Sequence, residues 1–179
     1  YWIRGGEMLN FVGCVEMPPK SEESWTAKFP WENMKADFEG WHDDINTIID
    51  LANRDECYLW ALYKRPVNNA WSSARATILG DAAHATLPYL SQGAAMAIED
   101  GAVLARALDQ ADDISDGLQL YQRNRMERTA RVVDTSDANR KLFHLKDVGE
   151  IRDSFAKRDE GGDRNAWLYS YNPLTVDLV

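Results

Sequence analysis

Residues 76–101 constrain this chain more than any other stretch. They run Ala76-Thr77-Ile78-Leu79-Gly80-Asp81-Ala82-Ala83-His84, pass Pro88, and continue Gln92-Gly93-Ala94-Ala95-Met96-Ala97-Ile98-Glu99-Asp100-Gly101. The pattern predicts a short buried strand ending at Gly80-Asp81, a loop carrying a proline, and a glycine that opens a long helix. A carboxylate at the end of a strand accepts hydrogen bonds from ligand hydroxyls. The unpaired amides of a helix start, here around Gln92, Gly93 and Ala94, favour an electron-rich group. A polar ligand with hydroxyl and anionic parts suits both.

The run from 79 to 108, with Gly80-Asp81-Ala82-Ala83-His84, Pro88, the Gln92 to Asp100 segment and Val103-Leu104-Ala105, resembles the second flavin-binding motif of single-component FAD-dependent aromatic hydroxylases, the salicylate and hydroxybenzoate monooxygenase group. Arg65-Pro66 and Trp71 extend the resemblance, and Tyr121 with Arg125 echoes it more weakly. The resemblance implies an α/β fold that is incomplete. It would comprise part of a substrate-domain sheet (1–65) and the C-terminal part of an FAD-binding domain with its long helices (66–179).

It also implies roles. Asp81 would bind the ribityl chain of FAD, and Gly80 would let the backbone pass close to it. Pro88, the catalytic position, would sit beside the reactive edge of the flavin ring. The amides near Gln92, Gly93 and Ala94 would face the ring edge where negative charge collects on reduction. NAD(P)H would be the co-substrate, molecular oxygen the oxidant, and a small aromatic compound, such as an aromatic carboxylate, the substrate. Ser91 stands where the family usually has glycine or alanine, and Gly101 where it usually has alanine. A larger departure is that no G-x-G-x-x-G loop for the FAD pyrophosphate occurs in the 179 residues. The N-terminal half of the same protein is therefore the expected partner, without which the chain should be inactive. Other readings remain: a non-catalytic flavoprotein-like module that pairs with another subunit, or a related flavin halogenase or epoxidase.

The net charge of −9 argues against a nucleic-acid surface, which needs clustered Lys and Arg. No apolar stretch approaches the ~20 residues of a membrane span, so neither membrane nor nucleic acid is an expected partner, and the cytoplasm is the default compartment. Cys14 and Cys57 share no metal or redox spacing and read as buried thiols. His42, His84 and His144 are too scattered for a metal site. Asp81, His84 and Ser91 invite a hydrolase triad, but all fall in one short segment, Ser91 lacks the nucleophile elbow, and no oxyanion arrangement is evident. His84 reads as a loop residue satisfying nearby backbone groups.

Around this centre, residues 1–4 and 7–16 read as strands joined by Gly5-Gly6, the second apolar on both faces and hence covered on both sides. Residues 17–24 read as a solvated loop. Helices are expected over 31–41 and from His42 or Asp43, with Ile45, Ile48, Ile49 and Ala52 on one face. Trp25, Trp31 and Trp41 read as packing anchors rather than a pocket. A strand is expected over 56–64, and the crossing between domains over 65–73, with a turn at Asn68-Asn69. The helix after Gln92 carries Gly93, Ala97, Gly101 and Ala105 in one stripe and reads as buried nearly all round. A long helix should cover 116–144 with Ser115 as N-cap, its Arg123, Arg125, Arg128 and Arg131 forming a solvated face. Gly149 should precede a helix over 150–158, with Gly161-Gly162 ending it. The aromatic segment 165–171 should pack on the cofactor domain or on a second copy, a homodimer being a further option.

Overall fold

The structure, a computed structural model, describes residues 1–18, 24–66, 68–159 and 165–179, with backbone alone for 158 and 159. The chain divides into two compact units, Tyr1–Leu62 and Tyr63–Val179.

In the first unit β1 (Trp2–Ile3) and β2 (Met8–Leu9) form an antiparallel pair with Trp2 opposite Leu9 and Ile3 opposite Met8. The reversal runs through Arg4–Gly6 with all three residues at positive φ, so the turn is longer than a two-glycine hairpin. The strand expected over 7–16 stops at Leu9, because among the described residues β1 is its one partner and ends there. It is covered on one side only. Phe11 and Val15 pack on Trp31, Phe38 and Ile49, while Met8 and Val12 are exposed. α1 (Trp31–Asp37) starts after Pro30, and α2 (Asp43–Leu51) is capped by the His42 ring, which accepts the Asp44 amide. Of the three tryptophans, only Trp31 is a buried anchor, its indole N–H donating to the Ile49 carbonyl at 2.9 Å. Trp25 and Trp41 are exposed, each edge-on to one ring, Trp60 and Phe38 respectively. Residues 56–64 form no strand but a single bridge between Lys28 and Tyr58, since among the described residues no other extended segment pairs with them. Of the loop over 17–24, residues 19–23 lie outside the described residues, as does the Gly161-Gly162 break.

In the second unit Ser72 bridges Thr77, and the Ile78 amide donates to the Trp71 carbonyl at 3.1 Å. The residues before Gly80 thus form a narrow antiparallel pairing, and the buried strand expected there is only partly covered, with Leu79 exposed. A helical turn, α3 (Asp81–His84), follows, then a 3-10 turn over Pro88–Leu90, then α4 (Gly93–Gln110). α5 (Ile114–Phe143) runs back along α4; its N-cap is Asp113, whose side chain accepts the Asp116 amide at 2.9 Å, and not Ser115, which lies inside the helix. Trp71, Ala83, Val103, Ala107, Leu120, Tyr121 and Leu178 form one core between these elements, and Met96, Val132 and Leu168 a second.

α4 is not buried all round. Ala94, Ile98, Gly101, Ala105 and Leu108 lie exposed on one face, with Ile98 74 % exposed. Gly101 has room for a Cβ, with nothing within 4 Å. α6 (Val148–Asp159) contains Gly149 rather than following it. α7 (Ala166–Tyr169) and the segment to Val179 lie on α4 and α5. Arg106 donates to the carbonyls of Pro173 and Val176, each at 2.8 Å, and Asn124 exchanges hydrogen bonds with Val179.

Candidate flavin site

Gly80 sets the geometry. Its φ of 58° and ψ of −142° lie where only glycine is at ease, and an added Cβ would also meet the Ala97 Cβ at 3.4 Å. The turn there delivers Asp81, exposed at the first position of α3. Ahead of it, Ser136 Oγ donates to the Leu87 carbonyl at 2.6 Å and Asn139 Nδ2 to the Tyr89 carbonyl at 3.0 Å, so α5 grips the backbone on both sides of Pro88. Ser91 then adopts φ 53°, ψ 35°, the left-handed region, which explains physically why glycine suits the position. Gln92 is the N-cap of α4 and makes no side-chain cap. The first intrahelical bond is from the Met96 amide to the Gln92 carbonyl, so the amides of Gly93, Ala94 and Ala95 precede the ladder.

These residues converge. Asp81, Pro88, Gly93 and Ala94 line one cleft of about 430 Å³ together with Thr86, Ser91 and Ala97. Gly80 and Gln92 adjoin it in the chain without lining it. The wall is built mostly of small side chains, and its polar side-chain groups are the Asp81 carboxylate and the Thr86 and Ser91 hydroxyls. A cleft of this kind can hold a flat polar group against main chain, with Asp81 accepting from hydroxyls. That combination fits FAD. Asp81 also borders a second cleft of about 250 Å³, lined by Arg65, Asn68, His84 and Thr129 among others.

Behind the cleft lies a buried ion network. Asp100 on α4 is fully buried, and its Oδ2 accepts the Gly80 amide at 2.8 Å and pairs with His84 Nε2 at 2.6 Å. Its Oδ1 accepts from Arg125 Nε at 2.7 Å. Arg125 is fully buried too, and its Nη2 reaches Glu99 at 2.8 Å. Arg128 grips Glu99 with two donors at 2.9 and 2.7 Å and lies over the Tyr171 ring at 3.9 Å. Burial by itself would raise the Asp100 carboxyl, but hydrogen bonds from His84, the Gly80 amide and Arg125 hold it below the usual carboxylate range. Glu99 is likewise held low against its burial by Arg128 and Arg125. Burial pushes the Tyr121 phenol well above its ordinary value, helped by the Asp100 charge.

Two expectations are corrected here. His84 does not serve local backbone; it bonds the Asp100 carboxylate, because α3 turns its ring inward against Trp71. The arginines of α5 are not one solvated face: Arg123 and Arg131 are exposed, whereas Arg125 is sealed and Arg128 nearly so. A signal for this existed in the spacing. Leu118, Tyr121, Arg125, Val132 and Ser136 fall on one buried stripe of α5, and Met96, Asp100, Val103 and Ala107 on one of α4. A charge on an apolar stripe is buried with a partner. Among the described residues, no group of three His, Cys, Asp or Glu could hold a metal ion, and no helix is long and apolar enough to cross a membrane.

The chain is 37 % identical over 179 residues to a 3-amino-4-hydroxybenzoate 2-monooxygenase of Streptomyces platensis, covering 98 % of this chain and 45 % of that protein. It is 35 % identical to the 3-hydroxybenzoate 6-hydroxylase of Polaromonas naphthalenivorans (96 % and 44 %). It is 40 % identical to the 6-hydroxynicotinate 3-monooxygenase of Pseudomonas fluorescens (100 % and 42 %). The chain thus spans somewhat under half the length of these relatives. A variant of Klebsiella pneumoniae HpxO complexed with FAD superposes with a TM-score of 0.67 at 24 % identity, over 84 % of this chain and 39 % of that one. CtdE in complex with FAD gives 0.62 over 87 % and 36 %. Mostly helical with one small sheet, the structure is a partial α/β flavin-hydroxylase fold. The FAD binding domain family matches residues 7–136, and the chain belongs to that family.

Proposed function

We propose that this chain is the C-terminal part of an FAD-dependent monooxygenase that hydroxylates a small aromatic substrate, an aromatic carboxylate by class, with NAD(P)H and oxygen. The observation that carries this reading is the meeting of Asp81, Pro88, Gly93 and Ala94 in one cleft whose walls are otherwise small. Asp81 would hold the ribityl hydroxyls. Gly80 and Gly93 would let main chain approach the cofactor, and the amides of Gly93 and Ala94, with Gln92 setting the helix start, would hold the polar edge of its ring. Pro88, fixed by Ser136 and Asn139, would give a rigid apolar border. The flavin, once bound, supplies the redox and oxygen chemistry; the residues here bind, orient and exclude water. Residues 1–65 would belong to the substrate-binding domain and 66–179 to the FAD-binding domain.

Three things support a longer parent protein: the share of each relative that is matched, the lack of a pyrophosphate loop in the sequence, and the uncovered apolar face of α4. The test is FAD titration of the parent protein followed by flavin fluorescence. Asp81→Ala removes a charged acceptor, whose hydrogen bonds are worth roughly 1.5–3 kcal/mol, so the Kd should rise about tenfold to a hundredfold. An unchanged Kd would sink the assignment. The 179-residue chain alone should lose FAD on dialysis.

A further inference from the structure

The acceptor that fixes the Gly80 turn sits on another helix. One oxygen of Asp100 takes both the Gly80 amide and His84 Nε2, so the first and last residues of the turn containing Asp81 are tied to a single atom. The other oxygen is held by Arg125, itself braced by Glu99 and by the Met96 carbonyl. Asp100 belongs to α4, the helix whose first turn presents the free amides to the cleft. The carboxylate therefore measures the distance between the two halves of the site. We infer that Asp100 is a positioning residue for the cofactor site, fixing Asp81 relative to the α4 amides, with Arg125 setting the orientation of Asp100. This inference rests on the assignment of Asp81 and those amides to FAD.

The chemistry requires an anion. Three donors converge on two oxygens, and all three are buried. An amide in place of the carboxylate has one oxygen, and its NH2 would face either Arg125 or the Gly80 and His84 donors. Asp100→Asn should therefore loosen the turn without touching the cleft. Asp100 does not line the cleft, so any effect on FAD must pass through the groups it holds: the Gly80 turn that carries Asp81, and Arg125, which also meets the Met96 carbonyl of α4.

A double-mutant cycle in the FAD-bound parent protein separates this from a purely structural role. Asp81→Ala and Asp100→Asn are each expected to raise the FAD Kd by about tenfold or more, and the double variant to bind within about twofold of the weaker single one. Unfolding midpoints recorded on the same four proteins should show the Asp100→Asn loss whether or not Asp81 is present. If Asp100→Asn does not fold, Asp100→Glu takes its place in the cycle. It keeps the charge for Arg125 but displaces the oxygen from the Gly80 amide, and the same non-additivity is expected. In the chain alone, the Gly80 amide should exchange with solvent faster in the variant. If Asp81→Ala weakens FAD but Asp100→Asn does not, or the two effects multiply, the positioning role is overturned while the cofactor reading stands. If Asp81→Ala has no effect, both fall.

Discussion

α5 carries two clusters of charge, one with short contacts in the core and one with longer contacts near the surface. In its first half Arg125 and Arg128 meet Asp100 and Glu99 at 2.7 to 2.9 Å, reaching across 25 and 29 residues to α4, with Arg125 fully buried. In its second half Asp137 meets Arg140 at 3.1 Å and Lys141 at 3.7 Å along the same helix, and Lys64 at 3.3 Å, with the cations substantially exposed. The first cluster joins two helices and a turn. The second decorates a surface. The number of partners does not separate them, since Asp100 and Asp137 each meet three; burial does, with the Asp100 and Arg125 side chains fully buried and the cations around Asp137 33 to 69 % exposed. A buried ion left without its partner keeps its full desolvation cost, whereas an exposed one returns to water.

The sharpest way to break this contrast is to remove one member of each cluster. Arg125→Ala leaves the buried Asp100 with the Gly80 amide and His84 but without its arginine, and should cost about 3–5 kcal/mol in urea unfolding of the second unit. A loss no larger than that of a surface variant would show that water or a neighbouring cation reaches Asp100. Acid should sharpen the contrast next. Asp100 and Glu99 are held below the ordinary range, so their contribution is fully present above about pH 4.5 and disappears as pH falls through their lowered values. The thermal midpoint should be level from about pH 7 to 5 and drop below about pH 4, less steeply in Asp100→Asn. The smallest effect belongs to the surface. Asp137→Asn should cost less than about 1 kcal/mol, and 1 M salt should erase most of it while leaving the Arg125→Ala loss in place.

Much of the second unit could be read from residue order. The start of α4 follows from Gly93, while α5 begins at Ile114, two residues before the expected 116, and Asp81, Pro88, Gly93 and Ala94 line one cleft. The strands could not be read in the same way. Alternation over 7–16 and 56–64 reports which faces are apolar, but a strand exists only when a second one lies beside it, and pairing is not a local property. The buried ions were hidden for a related reason. Arg125 and Arg131 look alike in composition, and only their place relative to Tyr121 and Val132 on the helix tells them apart. The apolar stripe, not the charge pattern, held that information.

Gln122, Arg125, Ser136 and Asn139 all project from α5, whose 30 residues extend about 45 Å. From one rigid rod they hold Trp71 and Ser72, the Asp100 network, and the two carbonyls beside Pro88. The helix therefore works as a ruler, and rulers tolerate repainting better than a change of length. One residue inserted between Arg128 and Ser136 would turn everything beyond it by about 100° and shift it 1.5 Å, taking both carbonyl clamps off Pro88 while leaving the ion network seated. Substitutions along the exposed side of α5 can accumulate freely, but insertions and deletions within it are closed to this protein, and variation in length must go to its loops.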